Sequence, residues 1–269
     1  MIELFNTILY EPLFNGLIYL YHVIPGKDIG IAIILLTLAI KIILFFPSLS
    51  AIKSQKALQE TQPKLEALKK KYKNDKEELG RQLMKFYKEN KVSPFSSCLP
   101  LLIQLPILLA LYQVFLNGLI TDPTTGLLVP NQLNHLYGYL KDIYSNTPIH
   151  SMFLGFVDMA KSKNIILAVI AGALQFWQGK MMVTMKPAIK TAGSKDEDRA
   201  ASINRQMIYF MPVITVIFGY QFPAGLTLYW IVSTLFTIVQ QYYFFRKRNS
   251  NPNPNSTLPS IPTTNENPR

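Results

Sequence analysis

The chain has 269 residues, of which 49% are hydrophobic and 16% are charged, with a net charge of +11 and a mean hydropathy of +0.18. Soluble domains contain about 25% charged residues, and the apolar residues here collect in long runs, which indicates an integral membrane protein rather than a soluble enzyme. The single cysteine, Cys98, excludes an internal disulfide, and the three histidines show no metal-ligand spacing, so we expect neither metal nor cofactor.

Five segments are apolar enough to cross a bilayer, which takes about 20 residues of helix. They lie at residues 29–47, 98–117, 164–183, 206–222 and 225–245. Residues 1–27 are apolar but interrupted by Glu3 and Glu11, a pattern typical of an amphipathic helix in the membrane interface. Residues 249–269 are rich in Asn, Pro, Ser and Thr, and we expect them to be disordered. The prediction is an all-α polytopic membrane protein with its core at residues 28–248.

The charges of the connecting loops predict the orientation in the membrane. The loops after the first and third segments and the stretch after the fifth are rich in Lys and Arg, whereas the other loops hold few. Because positive loops stay in the cytoplasm, this alternation predicts five spans, an external N-terminus and a cytoplasmic C-terminus. It also accounts for the basic charge without nucleic acid, so no DNA partner is expected.

The loop at residues 51–97 is predicted to form a cytoplasmic hairpin of two helices, because its leucines recur at helical spacing. Asp75 followed by Glu78 predicts a capping box at the start of the second helix. The basic cluster Lys69, Lys70 and Lys71 has two interpretations. It is either a solvated helix face near anionic lipid or a docking surface for an acidic or RNA-bearing partner.

Lys41 lies inside the first apolar segment, with apolar residues for three positions on either side. A lysine at mid-membrane costs about 2.5–3.5 kcal/mol, and none of the five segments contains an acidic residue to pair with it. In one interpretation the amine snorkels to the cytoplasmic surface. In the other it faces a water-filled cavity, with Thr37 one turn earlier on the same helical face.

Polar residues in the other segments are candidates to line the same cavity. They are Gln104, Gln175, Gln178, Thr227, Trp230 and Thr234. For each one alone, a hydrogen bond between helices is the simpler interpretation, but together with an unpaired lysine they favour a hydrophilic groove. The sequence has no Ser/His/Asp order, glycine-rich phosphate loop or paired intramembrane carboxylates, so we expect no enzyme activity.

Three stretches of the chain resemble the YidC family of membrane protein insertases, the bacterial relatives of the mitochondrial Oxa proteins. They are GIAIILLTLAIKIILFFP at 30–47, NKVSPFSSCLPLLIQLPILLALYQVF at 90–115 and MPVITVIFGYQFPAGLTLYWIVSTLFTIVQQ at 211–241. The resemblance covers about residues 10–245 and implies a five-helix core with a groove open to the cytoplasm and to lipid. Lys41 matches a groove position that is typically arginine in the family, and Thr37, Gln178 and Trp230 match other groove positions.

The resemblance implies an insertase that accepts nascent hydrophobic segments in the groove and releases them into the bilayer of the bacterial inner, or plasma, membrane. Hydrophobic transfer, at about 0.8 kcal/mol per buried CH₂, would drive release without a nucleotide. Nascent membrane proteins and lipid are the implied partners, with the ribosome, the Sec translocon and targeting factors as further ones. Two alternatives remain: a lysine-lined anion channel or transporter, and a structural scaffold that docks ribosomes through the basic hairpin.

Overall fold

The computed structural model describes residues 2–72, 75–90, 99–122, 124–182 and 209–249. Parts of several sequence predictions therefore lie outside the described residues. They are residues 73–74 and 91–97 of the predicted hairpin, residues 98, 183 and 206–208 at the ends of three apolar segments, the basic loop at 184–205, and residues 250–269 of the predicted disordered tail. The described chain is mostly helical, as predicted for an all-α protein.

The N-terminal residues form one helical rod with a π-helical stretch in it. Helix α1 (Ile2–Phe5) continues through π-helical Asn6–Tyr10 into α2 (Glu11–Val23). One face of α2 is fully buried and supplies core residues Phe14, Leu17, Ile18 and Tyr21, while the opposite face is exposed. The predicted amphipathic helix is thus helical, and it packs on the next helix as part of the core.

Several polar contacts hold this rod to residues 130–150, and those of Asn15 are the most extensive. The Asn15 amide donates 2.8 Å hydrogen bonds to the carbonyl oxygens of Glu11 and His135 and accepts one of 2.7 Å from the Tyr137 amide. The His135 ring lies 3.1 Å from the Glu11 carboxylate. Satisfied buried polar groups of this kind specify one arrangement of the elements that they join.

The first apolar segment contains a sharp bend. Helix α3 (Ile29–Ile43) begins at Asp28, whose side chain accepts a hydrogen bond from the Ile31 amide, and it ends at Leu44. Helix α4 (Phe45–Lys71) then starts at an angle of 65° to α3. Pro47 is tolerated here because it lies in the first turn of α4, where a backbone N–H has no helical partner. The predicted segment 29–47 is therefore not one straight helix.

Helices α4 and α5 (Lys76–Glu89) contact each other, as the predicted hairpin requires. Asp75 caps α5 by accepting hydrogen bonds from the amides of Glu77 and Glu78. The capping box is only half formed, because the Asp75 amide donates to the Tyr72 carbonyl and the Glu78 carboxylate accepts from Gln82 instead. The hydrogen bond between Gln82 and Glu78, four residues apart on the helix surface, replaces the bond that the Glu78 carboxylate would accept from the Asp75 amide in a complete capping box.

The chain between residues 99 and 164 consists of one long helix followed by short helices, loops and a small β-hairpin. Helix α6 (Leu99–Gln113) continues as π-helical Val114–Gly118, followed by short helices α7 (Pro130–Leu133) and α8 (Gly138–Tyr144). Strands β1 (Met152–Phe153) and β2 (Val157–Asp158) form a small antiparallel hairpin, with Phe153 opposite Val157. Helix α8 places Tyr144 in the buried core.

Helices α9 (Ile165–Met182), α10 (Tyr209–Gln221) and α11 (Ala224–Asn249) complete the described chain. Helix α11 packs against both α3 and α9. Among the described residues no single helix combines the length and apolarity of a membrane span. The bent pair Ile29–Ile43 and Phe45–Ser54 meets both criteria together.

Candidate functional site

A tight helical hairpin of α10 and α11 forms the frame of the candidate groove. The Thr227 hydroxyl donates a 2.9 Å hydrogen bond across the turn to the Gly219 carbonyl, and Gly219 packs against Ala168 of α9. Pro223 supplies no N–H, and Gly225 lets the ring of Phe115 approach so closely that an added β-carbon would lie 2.7 Å from it. The tight turn at residues 222–225 therefore joins α10 and α11, and its contacts reach α9 and the π-helical stretch after α6.

Lys41 lies in the last turn of α3 and is buried, with 8% of its surface exposed. Within the described parts of the chain its amine has no hydrogen bond and no ion pair. The bend of α3 begins only two residues further on, so little helix separates the lysine from the end of α3. Surrounding protein therefore covers most of the lysine side chain near the bend.

Packing contacts show which residues of the neighbouring helices lie at the same level as Lys41 along the helix axes, which we call its depth. Ile33 of α3 packs beside Gly225 of α11, and Ser48 in the first turn of α4 donates a 3.1 Å hydrogen bond to Gln240 further along α11. The two contacts show that α3 and α11 run in the same direction. Lys41 follows Ile33 by eight residues, as Ser233 follows Gly225, and both therefore lie about 12 Å beyond that contact at 1.5 Å per residue.

A similar comparison includes helix α9. Ala168 and Thr227 lie at the same level, since both pack against Gly219. Helices α9 and α11 run in the same direction, because both are antiparallel to α10: Gly172 packs against Val216, and Gly219 against Ala168 and Thr227. Gln175 follows Ala168 by seven residues, as Thr234 follows Thr227, so these two polar residues share a depth. That depth is also the depth of Lys41 and Ser233. Gln178 lies about one turn further along α9.

The other predicted site residues differ in how their polar groups are used. The Thr37 hydroxyl donates a 2.6 Å hydrogen bond to the Ile33 carbonyl of its own helix, and the Thr227 hydroxyl is bound to Gly219. Gln175, Gln178 and Trp230 are half-buried. The Trp230 ring stacks on Phe222, with ring centres 6.4 Å apart, and therefore lies near the turn rather than at the depth of Lys41. None of the predicted residues forms a hydrogen bond with another predicted one among the described residues.

Tyr229 joins the site although the sequence interpretation passed over it. The Gln104 amide of α6 donates a hydrogen bond to the Tyr229 hydroxyl, which also lies within hydrogen-bonding reach of Ser233. Tyr229 is almost fully buried. A usable signal was present, because Tyr229, Ser233 and Gln240 recur at spacings of four and seven and so share a helical face. The apolar character of the tyrosine ring hid that pattern.

Two adjacent glutamines further along α11 were also missed. Gln240 and Gln241 are buried, and Gln240 accepts the hydrogen bond from Ser48 at the start of α4. In the part of the chain that the structure describes, the Gln240 Nε2 and Gln241 Oε1 atoms have no hydrogen-bond partner. Buried amides that lack partners are costly, and this pair lies where α3 bends into α4. The polar face of α11 thus extends from the turn to this bend.

The predicted docking lysines lie on the surface of α4. Lys69 and Lys71 are exposed, and the Lys71 amine lies 5.4 Å from the centre of the Tyr72 ring. The side chain of Lys70 lies outside the described residues. No group of His, Cys, Asp and Glu residues able to hold a metal ion occurs among the described residues.

Comparison with known proteins identifies the relatives of the chain. The YidC membrane protein insertase of Fusobacterium nucleatum is 35% identical over 220 residues, which cover 82% of this chain and 87% of that protein. The insertases of the same name from Streptomyces avermitilis and Geobacter sulfurreducens are each 32% identical, over 88% and 89% of this chain. The matched regions cover only 56% and 38% of those two longer proteins.

The sequence profile of one family extends over nearly the whole described chain. It belongs to the 60Kd inner membrane protein family and matches residues 19–251, from the middle of α2 to just past α11. The match includes the elements that position Lys41, Gln104, Gln175 and Tyr229. With relatives more than 30% identical over most of its length, this chain belongs to the 60Kd inner membrane protein family.

Proposed function

We propose that this protein is a membrane protein insertase, which accepts hydrophobic segments of nascent membrane proteins and releases them into the bilayer. The observation that carries the proposal is the buried side chain of Lys41, whose amine has no hydrogen bond or ion pair among the described residues. An unpaired charge at this position is costly unless water or a ligand reaches it. The names of its relatives support the same function.

The groove is proposed to lie along the polar face of α11, between α3 and α9. Lys41, Gln175 and Thr234 share one depth and would hydrate and hold a polar or acidic flank of the client. Gln104 and Trp230 would lie nearer the α10–α11 turn. Gln178 of α9 and the Gln240–Gln241 pair of α11 would lie further from that turn than Lys41. Thr37 and Thr227, whose hydroxyls bind backbone carbonyls, would shape the walls rather than contact the client.

Release into lipid needs no covalent step. A client segment in a polar groove gains about 0.8 kcal/mol for each CH₂ that moves into hydrocarbon. The groove would lower the barrier for its hydrophilic flank, whose transfer through bare lipid is costly. We propose that the five apolar segments span the bilayer, with the N-terminus outside and the C-terminus in the cytoplasm. The α4–α5 hairpin would then meet the ribosome, targeting factors or the Sec translocon.

Reconstitution tests the proposed function directly. Liposomes containing the purified protein should insert a single-span client that is synthesised in their presence, as measured by protease protection, while liposomes without it should not. An anion channel would instead release trapped chloride without protecting the client, and a scaffold would do neither. Protection at the level of the empty liposomes contradicts the proposal.

A further inference from the structure

We propose that the β1–β2 hairpin is a lipid anchor, whose tip inserts into the surface of the outer leaflet. Leu154 and Phe156 at this tip are 57% and 71% exposed. If the hairpin lay in water, exposing these two large apolar side chains would contribute no favourable free energy. At a membrane surface the same side chains bury their area in the acyl boundary.

The position of the hairpin next to three helix ends supports this assignment. The Phe153 ring fills the space beside Gly30 in the first turn of α3, and an added β-carbon on Gly30 would collide with it. The segment after the hairpin binds the α10–α11 turn, because the Gly225 amide donates to the Met159 carbonyl at 2.8 Å. Helix α9 begins a few residues later, at Ile165. If these helices span the bilayer as proposed above, the hairpin lies at its edge.

The backbone of the tip points to the same conclusion. Leu154 has a φ of 49° and Gly155 a φ of 79°. The left-handed region suits glycine, whereas a leucine there is disfavoured by about 1–2 kcal/mol. Asparagine or glycine would form this turn with less strain, so turn formation does not explain an exposed leucine. Contact of the Leu154 side chain with lipid explains it.

The polar surroundings of the tip suit a lipid headgroup layer. Lys163 is exposed between the hairpin and α9, where anionic phosphates would meet it, and the exposed Lys161 lies 3.2 Å from the Asp158 carboxylate. Behind the tip, Asp158 accepts hydrogen bonds from Ser151 at 2.6 Å and from the Ala160 amide at 3.1 Å. Partial burial alone would raise the pKa of Asp158, but these bonds and Lys161 lower it overall. The hairpin is thus a braced element with an apolar tip and a basic flank.

A fluorescent depth measurement tests the anchor. The full chain with Cys98→Ser and Phe156→Cys is labelled with the fluorophore NBD and placed in nanodiscs of phosphatidylethanolamine and phosphatidylglycerol. The matched controls carry the label at Asn131, on an exposed polar surface, or at Val169, on the exposed face of α9. We expect the label at 156 to emit at shorter wavelength than the label at 131 and to be quenched severalfold less by aqueous iodide.

Lipid-borne quenchers separate the explanations of such a blue shift. A doxyl group on the fifth acyl carbon should quench the label at 156 more strongly than one on the twelfth carbon, because an interfacial element lies about 5–10 Å into the boundary. A blue-shifted label that neither doxyl lipid quenches would mean burial against a second protein copy and would overturn the anchor. Iodide quenching equal to that at 131 would overturn it as well.

The design distinguishes failure of the lipid anchor from failure of the proposed insertase function. No client is inserted in the measurement, so loss of insertase activity in reconstitution leaves it unaffected. Val169 lies about 6 Å beyond the start of α9 at 1.5 Å per residue, so the label at 169 should be quenched by the doxyl lipids and shielded from iodide. If it is not, α9 does not span the bilayer and the proposed arrangement of the helices fails, which also overturns the anchor that rests on it.

Discussion

The backbone amide of Leu154 donates a 2.6 Å hydrogen bond to Oδ2 of Asp28, 126 residues earlier in the chain. Oδ1 of the same carboxylate accepts the Ile31 amide at 3.0 Å and so caps helix α3. One side chain therefore fixes both the start of the helix that carries Lys41 and the position of the β1–β2 hairpin.

Asp28 is the first residue whose substitution gives a clear prediction. Asp28→Ala removes both acceptors and should lower the free energy of unfolding by about 1–2 kcal/mol, the usual cost of losing a helix cap. Asp28→Asn keeps one carbonyl oxygen and should lose roughly half as much. Unfolding of the purified variants in detergent micelles measures the difference. Equal stability of the alanine variant and wild type would show that the carboxylate does not hold the two elements together.

Thr227 offers a second stability prediction. Thr227→Val preserves the shape of the side chain but leaves the buried Gly219 carbonyl without this donor, which should cost about 1–3 kcal/mol. Thr227→Ser keeps the hydroxyl and should lie closer to wild type. Thermal unfolding in the same micelles orders the three proteins. A valine variant as stable as the serine variant would mean that the bond across the α10–α11 turn contributes nothing.

Substitutions at Lys41 should depend on the charge of the client. Lys41→Arg keeps the charge and should keep insertion. Lys41→Ala should impair a client with an acidic translocated flank more than one with a neutral flank. Lys41→Glu should be worse still for the acidic client, because attraction becomes repulsion in a partly dry groove, and should improve for a client with a lysine flank. Protease protection at matched protein levels measures all of these.

Two outcomes would change the role of Lys41. Wild-type insertion of every client by the alanine variant would remove the lysine from the mechanism. Equal failure of the alanine and glutamate variants for all clients would assign the lysine to hydration of the groove, without direct pairing to the client.

The lysines of the α4–α5 hairpin should affect ribosome binding. Changing Lys69, Lys70 and Lys71 to Gln should weaken co-sedimentation with ribosomes and reduce its dependence on salt, since each phosphate contact contributes to the salt slope. The matched control changes Lys85 and Lys88 of α5 together with Lys76. If both triple variants lose binding equally, the general charge of the hairpin is responsible, and if neither does, the lysines only solvate its surface.

Thiol labelling tests the proposed orientation. With Cys98 changed to Ser, single cysteines are placed at Lys71, Asn131, Ala192 and Ser250. A membrane-impermeant reagent added to intact cells should modify the cysteine at 131 and spare the other three, because positive loops stay in the cytoplasm. External modification at position 71 would contradict the five-span arrangement.

Much of this molecule follows from local sequence pattern. Long apolar runs predicted the helices, since a run of that kind can satisfy its backbone only as a helix in an apolar medium. Asp75 predicted its own helix cap, because a capping side chain acts on its nearest neighbours. The unpaired state of Lys41 was equally readable, since no apolar segment holds an acid.

Tertiary contacts decided the rest. The bend after Ile43 escaped prediction because apolar residues continue through it, and only the 65° angle between α3 and α4 in the structure shows the change of direction. Tyr229 pairs with Gln104 from another helix, 125 residues away, and side-chain spacing within one helix carries no information on such a partner. The shared depth of Lys41 and Gln175 likewise depends on how α3, α9 and α11 align. Composition and periodicity act over a few residues, whereas alignment between helices arises from contacts of side chains far apart in the chain.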